Sequence, residues 1–93
     1  MNKSELIEAL AEATNIPVRE AASITNTIIE TMSDALARGE SIEIRGFGSF
    51  VVKEYDSYTG RNPKTGEKIK VKPKKLPFFK VGKDLRERVN KAG

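Results

Sequence analysis

A chain of 93 residues, 38% of them hydrophobic, supports a single domain with a modest core. It carries 17 Lys+Arg against 13 Asp+Glu, a formal net charge of +4, and its pI is near 9.5, a balance that favours a polyanionic partner over an acidic small substrate. The absence of cysteine and histidine excludes disulfides, thiolate nucleophiles, imidazole bases and any ordinary zinc site, so an enzyme would have to work with carboxylates or lysines.

Taken in chain order, Asn2 and Glu5 have the spacing of an N-cap and its N3 carboxylate, and Leu6, Ile7, Leu10 and Ala13 then recur on one face. This predicts a short first helix. Asn15, Ile16 and Pro17 interrupt the pattern, after which Val18, Ala21, Ala22, Ile24, Ile28, Met32, Ala35 and Leu36 form a broad apolar stripe that stops at Gly39. A longer second helix follows from that stripe.

From Ser41 the period changes to two: Ile42 and Ile44 alternate with Glu43 and Arg45, Gly46-Phe47-Gly48 breaks the run, and Phe50, Val51 and Val52 resume it. We expect a β-hairpin whose second strand runs on through Lys53 to Thr59. A return strand from about Lys68 to Val81 mirrors it, with Gly60 to Gly66 as the connection. Strands rise about 3.3 Å per residue, so Lys53 to Gly60 reach roughly 26 Å, about twice the ~13 Å gyration radius of a compact domain this size. The hairpin is therefore expected to project as an arm with a mobile tip. A last short helix is predicted over Lys83 to Asn90, capped by Gly82, with Leu85 and Val89 on one side and cations on the other. One domain, 1–93, is thus divided into a helical dimerisation part (1–40), a sheet with its arm (41–81, tip about 60–66) and a C-terminal helix (82–93).

Charge is spread unevenly over these elements. Residues 1–40 hold three cations, Lys3, Arg19 and Arg38, against seven carboxylates, a net of −4 that leaves +8 to the remainder. In the arm, Arg61, Lys64, Lys68, Lys70, Lys72, Lys74 and Lys75 face one acid, Glu67. Lys68, Lys70, Lys72 and Lys74 are spaced by two, so a regular strand sets their ammonium groups along one face, able to follow a phosphate backbone and displace its counterions. The alternative is a solvated edge on which lysines prevent strand aggregation. At the tip, Pro63 is rigid, apolar and has no N–H, which suits a wedge between base pairs, and Arg61 beside it suits an electronegative minor groove. Asn-Pro and Thr-Gly are also ordinary turn formers.

Several motifs carry no function. Gly46-Phe47-Gly48 lacks the third glycine of a dinucleotide fingerprint, no Gly-Lys-Ser/Thr completes a P-loop near Gly66, and Asn2-Lys3-Ser4 matches a glycosylation sequon by chance. No signal peptide opens the chain and no apolar run approaches the ~20 residues of a membrane span, so we expect an intracellular, soluble protein.

Gly46-Phe47-Gly48-Ser49-Phe50, Gly60-Arg61-Asn62-Pro63, Pro77-Phe78-Phe79 and Gly82-Lys83 occur in one order along the whole chain. In these motifs it resembles the HU/IHF family of bacterial histone-like DNA-bending proteins. The resemblance implies an α+β fold and an intertwined dimer, with a helical base of two N-terminal helices under a small antiparallel sheet, a protruding two-stranded β-arm and a short C-terminal helix. It implies a non-enzymatic, nucleoid-associated cytoplasmic protein that bends and compacts double-stranded DNA with low or modest sequence specificity, Pro63 at each arm tip intercalating from the minor groove. No cofactor, metal, membrane or small-molecule substrate is expected.

Position by position, Arg61, Asn62 and Pro63 match the family's tip, Lys3, Lys83 and Arg86 fall where members contact phosphates from the body, and Phe47, Phe50 and Phe79 match the dimer core. Lys53, Lys64, Lys75 and the lysine row complete the expected arm contacts, and Ile28 and Met32 the expected dimer core. Without a second chain, Leu6, Leu10, Ile24, Leu36 and Phe78 also have no layer to cover them. The partner is an identical chain or a paralogue. Tyr55, Asp56 and Tyr58 stand where many members have arginines, which implies lower or more salt-sensitive affinity. Ile42-Glu43-Ile44-Arg45-Gly46 is similar to a strand of the family's IHF β members, where a Glu and an Arg assist sequence preference. This gives Arg45, oriented by Glu43, a role in the minor groove; an exposed cross-strand ion pair is the alternative. The competing function is a basic RNA-binding or ribosome-associated module using the same lysines as a phosphate clamp.

Overall fold

The computed structural model describes residues 1–91; positions 92 and 93, which close the stretch assigned to the last helix, lie outside the described residues. The class is α+β: helices α1 (Lys3–Thr14), α2 (Val18–Ala37) and α3 (Lys83–Lys91), with strands β1 (Ile42–Ile44), β2 (Gly48–Tyr55), β3 (Tyr58–Arg61), β4 (Lys68–Val71) and β5 (Lys74–Val81). The chain divides into two compact units, Met1–Ala35 and Leu36 onward.

In the first unit, α1 begins at the expected capping box. The Asn2 side chain accepts from the Glu5 N–H at 2.9 Å, and Glu5 accepts in return from the Asn2 N–H. The helix ends at Asn15, whose left-handed backbone (φ 54°) few side chains other than Asn tolerate. The buried position on α1 is Ala11, and Ala13 of the predicted face is exposed. On α2 the buried positions are Ala21 and Thr25, the latter a polar residue that an apolar stripe does not reveal. Leu6, Leu10, Thr25, Ile28 and Ile29 line an apolar hollow of about 210 Å³. Leu6, Ile28 and Ile29 stay exposed around it.

In the second unit, β1, β2 and β5 form an antiparallel sheet in the order β1-β2-β5, while β3 and β4 make a two-stranded ribbon, the extended arm. Phe79 is the hub of its small core: its ring lies 4.9 Å from Phe50 and 5.5 Å from Phe47, in tilted geometries that suit the ring quadrupoles. Gly48 is buried beneath it, and a Cβ there would come within 2.6 Å of both the Phe79 ring and the Lys80 carbonyl. Glycine is required by that close approach. Arg45 is not in the strand as expected: β1 ends at Ile44, and Arg45 occupies the turn closed by the Phe47 N–H to the Ile44 carbonyl.

The arm differs from the expected pair of unbroken strands. Tyr55 is opposite Lys74 and Tyr58 opposite Val71, leaving Asp56-Ser57 and Lys72-Pro73 outside the ladder. Asp and Pro are poor strand formers, and proline holds φ near −65°, far from the roughly −140° of an antiparallel strand. Two residues are skipped on each side, so the register resumes in phase. Gly60 and Arg61, expected in the connection, belong to β3, because the ladder continues until Asn62.

Candidate nucleic-acid interface

Side chains at directly opposed positions of an antiparallel pair share a face, and the face alternates with each residue. Applied to the observed register, this places Lys53, Arg61, Lys68, Lys70, Lys74 and Lys80 on one side of the sheet and ribbon, with Lys72 in phase between them. On β2 to β5 no carboxylate shares their side; Glu43 of β1, opposite Ser49, joins it at the far edge of the sheet. Glu54 and, in phase, Asp56 and Glu67 fall on the opposite side together with Lys75, the Phe50–Phe79 pair, Tyr58, Ile69 and Val71. Contacts agree with these faces: Lys74 Nζ lies 5.9 Å from the Tyr55 ring and Lys53 Nζ 3.8 Å from the Phe78 ring, while Lys75 pairs with Glu54 at 3.5 Å. All seven cations of the first side are exposed.

At the tip, the Asn62 N–H donates to the Glu67 carbonyl and the Gly66 N–H to the Asn62 carbonyl, both at 2.7 Å. The Asn62 side chain also accepts from the Lys64 N–H at 2.9 Å, bridging over Pro63. Gly66 supplies the positive φ of 74° that closes the loop without a Cβ penalty. Pro63 and Lys64 are held exposed on a loop whose shape is set by one asparagine.

A second group of cations is assembled near the β1–β2 turn. The Gly82 N–H donates to the Phe47 carbonyl at 2.9 Å and the Leu85 N–H to the Gly46 carbonyl at 3.2 Å, fastening the start of α3 to the turn that carries Arg45. Lys83 and Arg86, on the first turn of α3, are thereby brought to the same part of the unit as Arg45, and all three are exposed. Lys3 opens α1 in the other unit. Glu43 and Arg45 are not an ion pair: among the described residues the pairs are Arg38–Glu40 and Lys75–Glu54. No group of three metal-ligating side chains occurs among the described residues, and no helix there is long and apolar enough to cross a membrane.

Comparison with known proteins identifies the family of the chain. The family described as bacterial DNA-binding protein matches residues 1–90. The chain belongs to the HU/IHF family. Among its relatives is the integration host factor subunit beta of Histophilus somni strain 2336, 53% identical over 91 residues and 97% of both chains. Among solved structures, Anabaena HU in a cocrystal with DNA superposes with a TM-score of 0.85 at 38% identity, over 96% of this chain and 97% of that one. HU from Thermotoga maritima superposes with a TM-score of 0.69 at 36% identity, over 96% and 98%.

In this HU/IHF protein the register sorts the cations of the ribbon and sheet by side. Arg61, Lys68, Lys70, Lys72 and Lys74 share one side. Lys75 is on the other and paired, and Lys53 caps the Phe78 ring. Exposed contacts of both kinds are worth about 1 kcal/mol or less, little enough for a phosphate to displace. Lys80 joins the same side; in the sequence its signal is the same period of two, hidden because Leu76 and Phe78 separate it from the lysine run. Phe47, Phe50 and Phe79 cluster within the chain, and Phe78 points the other way, opposite Val51.

Proposed function

We propose that this protein binds double-stranded DNA as a dimer and bends it, its two arms lying in the minor groove with Pro63 at each tip wedged between base pairs. The observation that carries this is the separation of charge on the ribbon: cations of both strands lie on one side at roughly two-residue spacing, with no carboxylate of the ribbon among them, along a strip that can track a phosphate backbone. Solubility alone needs no such sorting, since scattered lysines protect an edge equally well. Membership in a family of bacterial DNA-binding proteins and the superposition on an HU crystallised with DNA support the same function.

The tip has the properties a wedge needs. Pro63 is exposed, lacks a donor that intercalation would leave unsatisfied, and is braced by the Asn62 bonds on either side. Arg61, two residues before it, enters the groove, and Lys64 reaches a flanking phosphate. From the body, Lys3, Arg45, Lys83 and Arg86 hold the bent flanks, with Arg45 giving a modest sequence preference.

Dimerisation is supported by exposed apolar side chains: Ile28 is 53% exposed, Phe47 45% and Phe79 37%, which an isolated soluble chain does not sustain. With Phe50 and Met32 these residues form the proposed core of an intertwined dimer. That a close relative is named a beta subunit supports a paralogous partner; an identical one gives the same two-armed geometry. The protein acts without cofactor or catalysis, in the cytoplasm on the nucleoid. End-to-end energy transfer on a duplex labelled at both termini tests the proposal: the ends approach on saturation, and an unchanged distance refutes it. A clamp on A-form RNA would bind duplex RNA at least as well and leave DNA straight.

A further inference from the structure

A sheet with one packed face usually has a polar second face. Here the face opposite the phenylalanine cluster carries Val51, Leu76 and Phe78 at its centre, with Leu76 44% and Phe78 48% exposed. Its charged residues are Lys53, Lys74 and Lys80 and, at the β1 edge, Glu43, which is opposite Ser49; Tyr55 completes the face. The patch is thus apolar within a frame of three lysines whose single carboxylate, Glu43, lies at the β1 edge away from the arm, and it is continuous in register with the cationic side of the arm. Resting on the DNA-binding reading above, we infer that Phe78, with Leu76 and Val51, is a DNA contact in its own right, packing on the C–H edges of deoxyribose between the phosphate rows held by the framing lysines.

Charge complementarity selects this occupant. A protein partner with an acidic rim would satisfy the lysines, but the strip then continues into the arm, where the same polyanion is already engaged. The Lys53 ammonium over the Phe78 ring has a phosphate to move to when the ring is covered, so docking exchanges one weak contact for two. Apolar contact of this kind adds affinity that does not depend on counterion release. It offsets the loss expected where this chain has tyrosines near the arm base.

Phe78→Ala in the full chain tests it, with duplex affinity measured over a range of salt. The expected result is about a tenfold loss at every salt concentration with the slope of log K against log salt unchanged. Wild-type affinity throughout, from a variant that still draws duplex ends together, overturns the inference and leaves the arm mechanism standing; a wild-type protein that never bends DNA overturns the arm mechanism instead. Because the chain has no tryptophan, Phe78→Trp provides an independent reporter. Its emission is expected to change on adding duplex, and unchanged emission at saturation refutes the contact. A shift of Phe78→Ala to a smaller oligomer in sedimentation would assign the patch to contact between copies and also refute it.

Discussion

Lys70 and Lys75 differ by five positions and are equally basic in the sequence, yet the register puts them on opposite sides of the ribbon, which makes them the sharpest test of the proposed interface. Lys70 is opposite Thr59 with no carboxylate of the ribbon on its face; Lys75 is 3.5 Å from Glu54. In a dimer, Lys70→Gln removes two phosphate contacts, so the slope of log K against log salt should flatten by about 1.8, an affinity loss of roughly 60-fold at about 0.1 M salt that vanishes toward 1 M. Lys75→Gln removes a cation already neutralised by an exposed partner, and affinity should stay within about twofold. Fluorescence anisotropy with a labelled duplex, titrated at several salt concentrations, reads both quantities. Equal flattening by the two variants would show that the strand faces do not decide which cations meet the backbone.

Three further perturbations probe other parts of the molecule. Pro63→Ala should reduce the bend measured by energy transfer more than it reduces affinity, because the lysines remain while the wedge is lost; a full bend from this variant would place the kink elsewhere. Gly48→Ala forces a methyl against the Phe79 ring and the Lys80 carbonyl, and should destabilise the protein by about 1–3 kcal/mol in urea denaturation. An unmoved midpoint would contradict that close packing. Arg45→Ala should lower the ratio of affinities for preferred over random duplexes, measured by competition, with a smaller effect on random DNA, and an unaltered ratio removes Arg45 from selectivity.

Much of this was legible in the chain itself. The Asn2–Glu5 capping box, the interruption at Asn15, the stop at Gly39 and the change of period after Ser41 are local effects, written in neighbouring residues through backbone preference and side-chain spacing, and the first two helices and the β1–β2 hairpin follow from them. The concentration of cations in the arm, the absence of thiol and imidazole chemistry and the proline at the tip bounded the function in the same way. Tertiary structure decided what depends on the far strand. Alternation along one strand separates Lys70 from Lys75 and Phe78 from Phe79, but only pairing of β2 with β5 and of β3 with β4 carries the phase across the break at Lys72-Pro73, joins Lys53, Arg61 and Lys80 to the lysine row and brings Phe79 rather than Phe78 onto Phe50, because those relations are set by register with a distant strand. The meeting of Lys83 and Arg86 with the turn of Arg45 has the same origin: it rests on backbone bonds from Gly82 and Leu85 to Phe47 and Gly46, groups common to nearly every residue and silent in any sequence pattern.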